Sequence, residues 1–443
     1  MTMFWIQLAV VMGCIAIGGR YGGVGLGAAG GFGLSVLVLG FGMQPGSPPV
    51  SVLLIITAVI ACVSILQAAG GLDLLVRQAE KLLRRKPSAI TFVAPLVTAC
   101  FTFFCGTGYV AFSVYPVIAE VAAEAKIRPE RPLSISVIAS GAAIPASPMS
   151  AATAGMLGIL SASGINPFHL LIIITPAALV GILMGALSVY KRGAELENDP
   201  EFQRRVAAGE YQSLHTVNST GKTWEPSPAA QRGVLIFAIG VIAIVSLGSM
   251  PQLLPGWEIG GEVKKLPIPS LIQMVILATG FLIMILCRVP GNQLAAGSVF
   301  RSGLVGVVGV FGVAWMTDTF FTAYKPEFLE FFSSIVKDTP MLFGIVLFFF
   351  SSVVFGNAAT VVALMPIGLE LGIPPAILVA LYPAVCGDFF IPAGAGQIGC
   401  VSFDRTGTTR IGRYVLNHCY MRPGIVSVCS AVFVSYFLSK LIL

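Results

Sequence analysis

Residues 104–120 read Phe-Cys-Gly-Thr-Gly-Tyr-Val-Ala-Phe-Ser-Val-Tyr-Pro-Val-Ile-Ala-Glu, and residues 354–370 read Val-Phe-Gly-Asn-Ala-Ala-Thr-Val-Val-Ala-Leu-Met-Pro-Ile-Gly-Leu-Glu. Both stretches place glycine beside a hydroxyl or amide side chain within a long apolar run, and both continue to Pro and Glu at matching positions. Two broken apolar segments at corresponding places in two halves are typical of a secondary transporter whose binding site lies at the breaks. The alternative is two kinked core helices with accidental similarity.

The composition predicts a polytopic helical membrane protein. Of 443 residues, 56% are hydrophobic and only 10% are charged, and the mean hydropathy is +0.90. The apolar runs lack the alternation of an outer-membrane barrel. The basic residues lie in loops between apolar runs, so the net charge of +6 does not indicate a nucleic-acid partner. The nine cysteines and three histidines form no metal-binding pattern, so we expect no metal and no cofactor.

We predict an all-α fold of two repeats, 1–190 and 232–443, joined by a polar linker at 191–231. Each repeat has five membrane crossings, one of them discontinuous, and one re-entrant hairpin. The hairpins are placed at 90–124 and 340–372, and the discontinuous helices at 132–163 and 375–404. The arms of 90–124, about 16 residues each, span only about 24 Å, and both flanks are basic. The remaining crossings are expected at 3–18, 22–41, 50–69, 168–190, 233–250, 268–287, 302–317 and 423–441.

The distribution of basic residues orients this arrangement. With the N-terminus outside, all but five of the 26 Lys and Arg residues fall in cytoplasmic segments, in agreement with the positive-inside rule. Both termini are then periplasmic and the linker is cytoplasmic. Five crossings per repeat invert the second repeat relative to the first, so the two hairpins enter from opposite sides. Residues 72–88 form a basic amphipathic helix expected on the anionic inner leaflet.

The candidate substrate site lies at the breaks, where helix N-termini and short polar side chains offer hydrogen-bond donors to an anion. Helix N-termini are expected after 106–108, 145–148, 356–357 and 392–396. The candidate residues are Gly106, Thr107, Gly108, Ser147, Ser150, Gly356, Asn357, Thr360 and Gln397.

Two ionisable residues are further candidates. Arg131 stands at the cytoplasmic mouth of the first discontinuous helix, as either a substrate-attracting cation or a positive-inside anchor. Asp388 is an acid at membrane depth, and such residues are functional by default. We expect it to couple transport to Na⁺ or H⁺, the alternative being an acid that faces a water cavity without a role.

Several motifs resemble the anaerobic C4-dicarboxylate uptake (Dcu) family from about residue 18 to the C-terminus. They are Gly70-Gly-Leu-Asp73, Lys81-Leu-Leu-Arg-Arg85, Gly106-Thr-Gly108, Pro116-Val-Ile-Ala-Glu-Val121, Arg131-Pro-Leu-Ser134, Ala146-Ser-Pro148 and Asp404-Arg-Thr-Gly-Thr-Thr-Arg-Ile-Gly412. The resemblance implies an inner-membrane carrier exchanging fumarate, malate or aspartate for succinate. It also implies kinship with the ion-transporter superfamily of paired-hairpin elevator carriers, in which homodimers are common.

The sequence departs from that family in two places. Tyr109 stands where the family usually has Asn, and Ile391-Pro-Ala-Gly-Ala-Gly-Gln397 stands where relatives read Leu-Pro-Thr-Tyr-Pro. Both departures lie beside the expected site, and both affect the preferred dicarboxylate more than the class of protein.

Other readings remain open at this point. An inverted-repeat ion or anion channel is the main alternative to a carrier. A membrane-embedded enzyme is disfavoured, because the histidines lie at edges or in loops and Asp388 has no aspartate partner in a span. The polar stretch from Asp404 to Gly412 either caps helices or contacts a regulatory membrane partner.

Overall fold

The structure is a computed structural model that describes residues 2–21, 24–48, 50–209, 227–259, 262–324, 326–327, 339–354, 356–392, 394–411 and 417–443. Most of these residues are helical. Part of the predicted linker, at 210–226, and part of the polar stretch before the second hairpin, at 328–338, lie outside the described residues.

The helices of the first half follow the apolar runs of the sequence. They are α1 Thr2–Tyr21, α2 Val24–Ser35 with a π-helical turn at Val36–Gly40, α3 Val50–Ala68, α4 Gly71–Arg85, α5 Ile90–Cys105, α6 Tyr115–Glu124, α7 Glu130–Ala146, α8 Ala151–Ile159 and α9 Pro167–Val189. A 3₁₀ helix at Gly108–Ser113 joins α5 to α6.

The linker contributes a short helix, α10 Pro200–Ala207. The second half then contains α11 Pro228–Ser249, α12 Ile268–Leu286, α13 Ser298–Ala323, α14 Phe343–Val354, α15 Asn357–Glu370, α16 Pro375–Leu381, α17 Ala395–Phe403 and α18 Met421–Ile442. A 3₁₀ turn at Tyr382–Val385 extends α16.

The prediction of an all-α fold is wrong in one detail. Strands β1 Gly256–Ile259 and β2 Glu262–Lys265 pair antiparallel between α11 and α12, with Trp257 opposite Lys264. Four-residue strands carry too little alternation to be recognised in a sequence dominated by apolar helices.

Seven of the described helices are long and apolar enough to cross a membrane, and there are eight if the bent pair α3–α4 is one span. The pair bends by 75° at the break before Gly71. The basic face of α4 is exposed, whereas Leu72, Ala79 and Leu83 are buried. This helix therefore packs its apolar side on the protein and leaves its charges outward.

Residues 90–124 turn back on themselves. Pro87–Cys105 is long enough to cross a bilayer, yet both ends of the segment meet at one cation. Arg84, just before the segment, forms ion pairs with Glu120 at 3.3 Å and Glu124 at 2.6 Å at its far end. These contacts bring the chain just before the segment and the C-terminal end of the segment next to each other.

The helix packing shows the same pairs in both halves. α1 packs on α2 as α11 packs on α12, and α2 packs on α13 as α12 packs on α3. α9 and α18, the last helices of the two halves, pack extensively on each other.

The first arm of each hairpin-like segment also contacts the neighbouring broken helix at matching positions. The Thr102 and Ser140 hydroxyls are 2.8 Å apart, and the Ser352 hydroxyl donates to the Gly387 carbonyl at 2.8 Å. Thr102 and Ser352 occupy corresponding places in their apolar runs.

The described start of the linker is bound to the residues at the beginning of α7. Buried Arg128 pairs with Glu130 and with Asp199, and Lys126 pairs with Glu197 at 2.6 Å. Further along, Arg205 donates to the Arg405 carbonyl. The first part of the linker is therefore ordered against the protein, which the polar composition alone did not predict.

Candidate functional site

A cavity of about 290 Å³ lies where the breaks at 106–108 and 356–357 meet the segments 130–159 and 375–403. Seven of the predicted site residues line it: Gly106, Thr107, Gly108, Gly356, Asn357, Asp388 and Gln397. Residues from both halves, some 250 positions apart, thus surround one space.

The cavity has two walls of different chemistry. One wall, called the apolar wall here, comes from α2, α3 and α13 and consists of Leu26, Ile56, Val59, Ile60, Val305, Gly306, Gly309 and Val313. The opposite wall, the polar wall, comes from the segments 90–124, 130–159, 343–370 and 375–403. It contributes the polar lining side chains Thr107, Tyr109, Tyr115, Ser140, Asn357, Asp388 and Gln397. Among the described lining residues, none is Lys, Arg or His.

The first-half breaks use their own hydroxyls to cap their helices. The Thr107 side chain accepts from the Tyr109 backbone N–H at 3.4 Å, and Gly106 adopts φ +67° against Met149 of the neighbouring break. Ser150 caps α8 by accepting from the Thr153 backbone N–H at 3.0 Å. The helix N-terminus predicted after 106–108 is a 3₁₀ helix rather than an α-helix.

Ser147 and Ser150 do not line the cavity. The Ser147 hydroxyl donates to the Phe103 carbonyl at 2.6 Å, and the Ser150 hydroxyl donates to Thr153 at 2.9 Å. Both side chains are fully buried. Irregular backbone at membrane depth has to satisfy its polar groups internally, so these two serines stabilise the break instead of facing a ligand.

The second-half breaks begin their helices with glycine. Gly356 is the N-cap of α15 and Gly394 is the N-cap of α17, and neither cap has a side-chain hydrogen bond. Residues of both first turns line the cavity, including Asn357, Ala358 and Gly396. Two helix N-termini are therefore directed at the cavity without a capping side chain.

The predicted side chains of this half have different surroundings. The Asn357 amide donates to Cys386 Sγ at 3.2 Å, and its first-turn position leaves it on the cavity wall. Thr360 is fully buried and donates to the Gly356 carbonyl at 2.8 Å, so it is not among the lining residues.

Asp388 lies in the irregular segment between the Tyr382–Val385 turn and α17. Asp388 lines the cavity, as does Gln397 of the first turn of α17. The irregular segment is longer than predicted, since α16 ends at Leu381 and α17 begins only at Ala395. A carboxylate thus shares the cavity with two helix N-termini and with no lining cation among the described residues.

Arg131 is placed away from the cavity. It is 5% exposed and donates to Glu195 at 3.1 Å and to the carbonyls of Arg192 and Gly193. All of these partners belong to the linker. The arrangement agrees with the reading of Arg131 as an anchor.

Sequence reasoning missed part of the polar wall. Tyr115 and Ser140 line the cavity, with the Ser140 hydroxyl 2.8 Å from that of Thr102, and Tyr109 was identified only as a departure from a family pattern. Helical spacing would have been a usable signal for Ser140, because Val137, Ser140, Gly141 and Ile144 lie three and four residues apart on one face of α7 and all four line the cavity.

The stretch Asp404–Gly412 organises itself around a buried carboxylate. Asp404 accepts from the backbone N–H groups of Thr406 at 2.9 Å and Thr409 at 2.6 Å, and from the Thr408 hydroxyl at 2.9 Å. The contacts show a self-capped loop next to α17. Gly412 lies outside the described residues.

Comparison with known proteins gives a consistent result. Residues 3–443 match the family described as anaerobic C4-dicarboxylate membrane transporters. The chain is 39% identical over 432 residues to the anaerobic C4-dicarboxylate transporter DcuB of Escherichia coli, covering 96% of each chain. It is 38% identical over 446 residues to the C4-dicarboxylate transporter DcuA of Wolinella succinogenes, covering 100% of each.

Two solved structures share the fold at low sequence identity. The YdaH transporter of Alcanivorax borkumensis superimposes with a TM-score of 0.50 at 14% identity, covering 92% of this chain and 88% of that one. MtrF of Neisseria gonorrhoeae also gives 0.50 at 14%, covering 100% and 94%.

Proposed function

The chain belongs to the family of anaerobic C4-dicarboxylate membrane transporters, and from this premise we propose that it takes up fumarate, malate or aspartate in exchange for succinate by alternating access. It is a multi-pass membrane transporter and not an enzyme. The substrate class, C4-dicarboxylates, follows the names of its relatives, and the individual substrates follow the family resemblance.

The proposal of an elevator mechanism rests on the different chemistry of the two cavity walls. All polar lining side chains belong to the hairpins and broken helices, whereas the opposite wall is apolar. A body that carries every substrate-binding group can move along an apolar wall without exchanging hydrogen bonds during the movement. A mechanism that rocks two halves apart would place polar groups on both walls.

The charge of the substrate is balanced by helix ends in this proposal. An unpaired dianion is costly to bury, and the described lining residues provide no basic side chain. Each uncapped helix N-terminus supplies free N–H groups and about half a positive charge. The N-termini of α15 and α17, assisted by Asn357 and Gln397, are therefore proposed to bind the two carboxylates.

Asp388 is proposed to couple uptake to a cation. Its carboxylate occupies the same positive region as the substrate carboxylates and would repel them. A bound H⁺ or Na⁺ on Asp388 removes that repulsion, so the cation and the substrate favour each other's binding. Net entry of a dianion against a negative-inside potential also requires cations, whereas exchange of one dianion for another does not.

We further propose the two-repeat architecture, with inverted repeats at 1–190 and 232–443 and both termini periplasmic. The packing pairs that occur in both halves support it, as does the return of residues 90–124 to Arg84. Single cysteines replacing Lys86 and Lys126 should both be labelled only from the cytoplasm. Labelling of the two from opposite sides would make 90–124 a crossing and remove the inversion.

Assembly follows the same family resemblance. We propose a homodimer, and a regulatory membrane partner for the segment 402–422, of which residues 402–411 and 417–422 are described. Crosslinking of the protein in native membranes tests both, since a dimer and a larger hetero-complex differ in mass.

The function is tested by substrate exchange in proteoliposomes. A carrier loaded with unlabelled succinate should accelerate the entry of labelled fumarate, and a channel shows no such trans-stimulation. Absence of trans-stimulation with fumarate, malate, aspartate and succinate would defeat the proposed function.

A further inference from the structure

Tyr109, in the 3₁₀ helix after the break at 106–108, contacts Gly306 of the apolar wall. A β-carbon at Gly306 of α13 would lie 2.6 Å from the Tyr109 hydroxyl oxygen, 2.9 Å from Cε2 and 3.1 Å from Cζ. Side-chain β-carbons essentially never approach other atoms within 3.0 Å. Gly306 therefore forms a notch that holds the tip of the tyrosine ring and that any larger residue would fill.

The tyrosine ring is supported from behind. It stacks on Phe112 with ring centroids 6.4 Å apart and an interplanar angle of 18°. Phe112 in turn lies against α17, where a β-carbon at Gly399 would be 2.3 Å from its Cε1. The contacts of the Tyr109 ring therefore extend through Phe112 to α17.

We propose that Tyr109 is a positioning residue for the transport step, which holds the substrate-carrying segments in one register on the apolar wall through its contact with Gly306. This inference rests on the proposed elevator movement. If the polar wall moves along the apolar wall, the ring has to leave the notch once in every cycle. The contact then determines the rate of movement and affects the affinity for substrate much less.

Gly309 provides a matched control on the same helix. It lies three residues further along α13, about 4.5 Å away along the axis, and it lines the same cavity. A β-carbon there would have no heavy atom within 4 Å. Gly306→Ala and Gly309→Ala make the same change in helix propensity, but only the first one meets the tyrosine ring.

The experiment is a double-mutant cycle in proteoliposomes, with succinate–fumarate exchange as the readout. Gly306→Ala should change the turnover by about tenfold or more while the half-saturation concentration stays within about threefold. Gly309→Ala should stay within about twofold for both. In a Tyr109→Ala background, Gly306→Ala should change the turnover by less than about twofold, because the colliding ring is absent.

Two results would overturn the inference: equal effects of Gly306→Ala and Gly309→Ala, or an undiminished Gly306→Ala effect in the Tyr109→Ala background. If Gly306→Ala alone fails to insert, recovery of exchange in the double variant supports the contact and no recovery rejects it. If the wild-type protein exchanges no dicarboxylate, the proposed function fails instead. The contact is then judged by Tm in detergent, which Gly306→Ala should lower only when Tyr109 is present.

Discussion

The breaks of the two halves have related sequences but differ in how their helices begin. In the first half, Thr107 and Ser150 cap the following helices with their own side chains. In the second half, Gly356 and Gly394 occupy the N-cap positions and no side chain caps the helix. A capped helix N-terminus has already used part of its donor capacity, whereas an uncapped one still has it available.

The difference indicates a division of labour between the halves. The first-half break is held together by hydrogen bonds between protein groups. One of them joins Thr153 to Tyr382 of the second half at 3.2 Å. The second-half breaks leave two helix N-termini, Asn357 and Gln397 facing the cavity, with Asp388 among them. We infer that the first half mainly stabilises the site and the second half mainly binds the anion and the cation.

The largest expected effect is that of Asp388→Asn. The amide keeps the size of the side chain but takes up no proton and carries no negative charge to attract a cation. Gradient-driven net uptake should be abolished, and succinate–fumarate exchange should be retained. Uptake and counterflow assays on the same proteoliposomes measure both.

Two other outcomes for Asp388→Asn change the comparison. Equal loss of uptake and exchange would assign Asp388 to the substrate site or to the fold. If neither uptake nor exchange is lost, Asp388 is an acid that faces a water cavity. The second half would then bind the substrate without a coupling cation.

The second prediction compares Asn357→Ala with Thr107→Ala. Asn357 stands in the first turn of an uncapped helix, so its removal should raise the half-saturation concentration by about tenfold or more, as expected for a hydrogen bond to a charged group. The Thr107 hydroxyl accepts from the Tyr109 N–H, and its removal should cost less than about threefold. Initial exchange rates over a range of fumarate concentrations give both values.

Unchanged insertion of both variants serves as the control for that pair; Tm should be unchanged in Asn357→Ala and should fall slightly in Thr107→Ala, which removes a helix cap. Equal increases in half-saturation concentration would show that both hairpin tips bind the substrate to the same extent. Wild-type affinity in Asn357→Ala would remove the second hairpin tip from the site.

How far the sequence predicts this site depends on how far apart in sequence the contacting residues are. The glycines beside Thr107 and Asn357 predicted the end of α5 and the start of α15, because a break in an apolar run is a local signal. The orientation of Ser147 and Ser150 was not predictable, since it depends on the Phe103 carbonyl and on Thr153. The long irregular segment around Asp388 has a similar cause: Gly387 packs so closely on α14 that a β-carbon would lie 2.3 Å from the Phe348 carbonyl oxygen.

The same reasoning applies to the charged residues. The excess of basic residues in loops indicated an anchor or a substrate cation at Arg131 equally well. The contact with Glu195, 64 positions away in sequence, favours the anchor, and only folding brings those residues together.

The third prediction converts a second-half break to the first-half type. Gly356 has an extended φ of −159° that any residue can adopt, and a β-carbon there would meet Ala359 Cβ at an ordinary 3.7 Å. Gly356→Ser should cap α15, occupy donors that the substrate needs and raise the half-saturation concentration about threefold to tenfold. Gly356→Ala, which adds the β-carbon without an oxygen, is the matched control and should change it less than about twofold.

If Gly356→Ala weakens binding as much as Gly356→Ser, the space at this position matters and the uncapped helix end does not. An effect of neither substitution would mean that the α15 N-terminus makes no contact with the substrate. Exchange kinetics of the two variants in parallel distinguish these cases.

The smallest effect on transport is expected for Ser150→Ala, at the capped break of the first half. Ser150 caps α8, and loss of such a cap costs about 1 kcal/mol of stability, so Tm in detergent should fall while the half-saturation concentration stays within about twofold. Ser150→Thr retains the capping oxygen and should keep most of the Tm. An increase in half-saturation concentration as large as that of Asn357→Ala would place the Ser150 hydroxyl at the substrate and make the first half a binding partner equal to the second. A fall in Tm with unchanged affinity would instead support the separation of a stabilising break from a binding break.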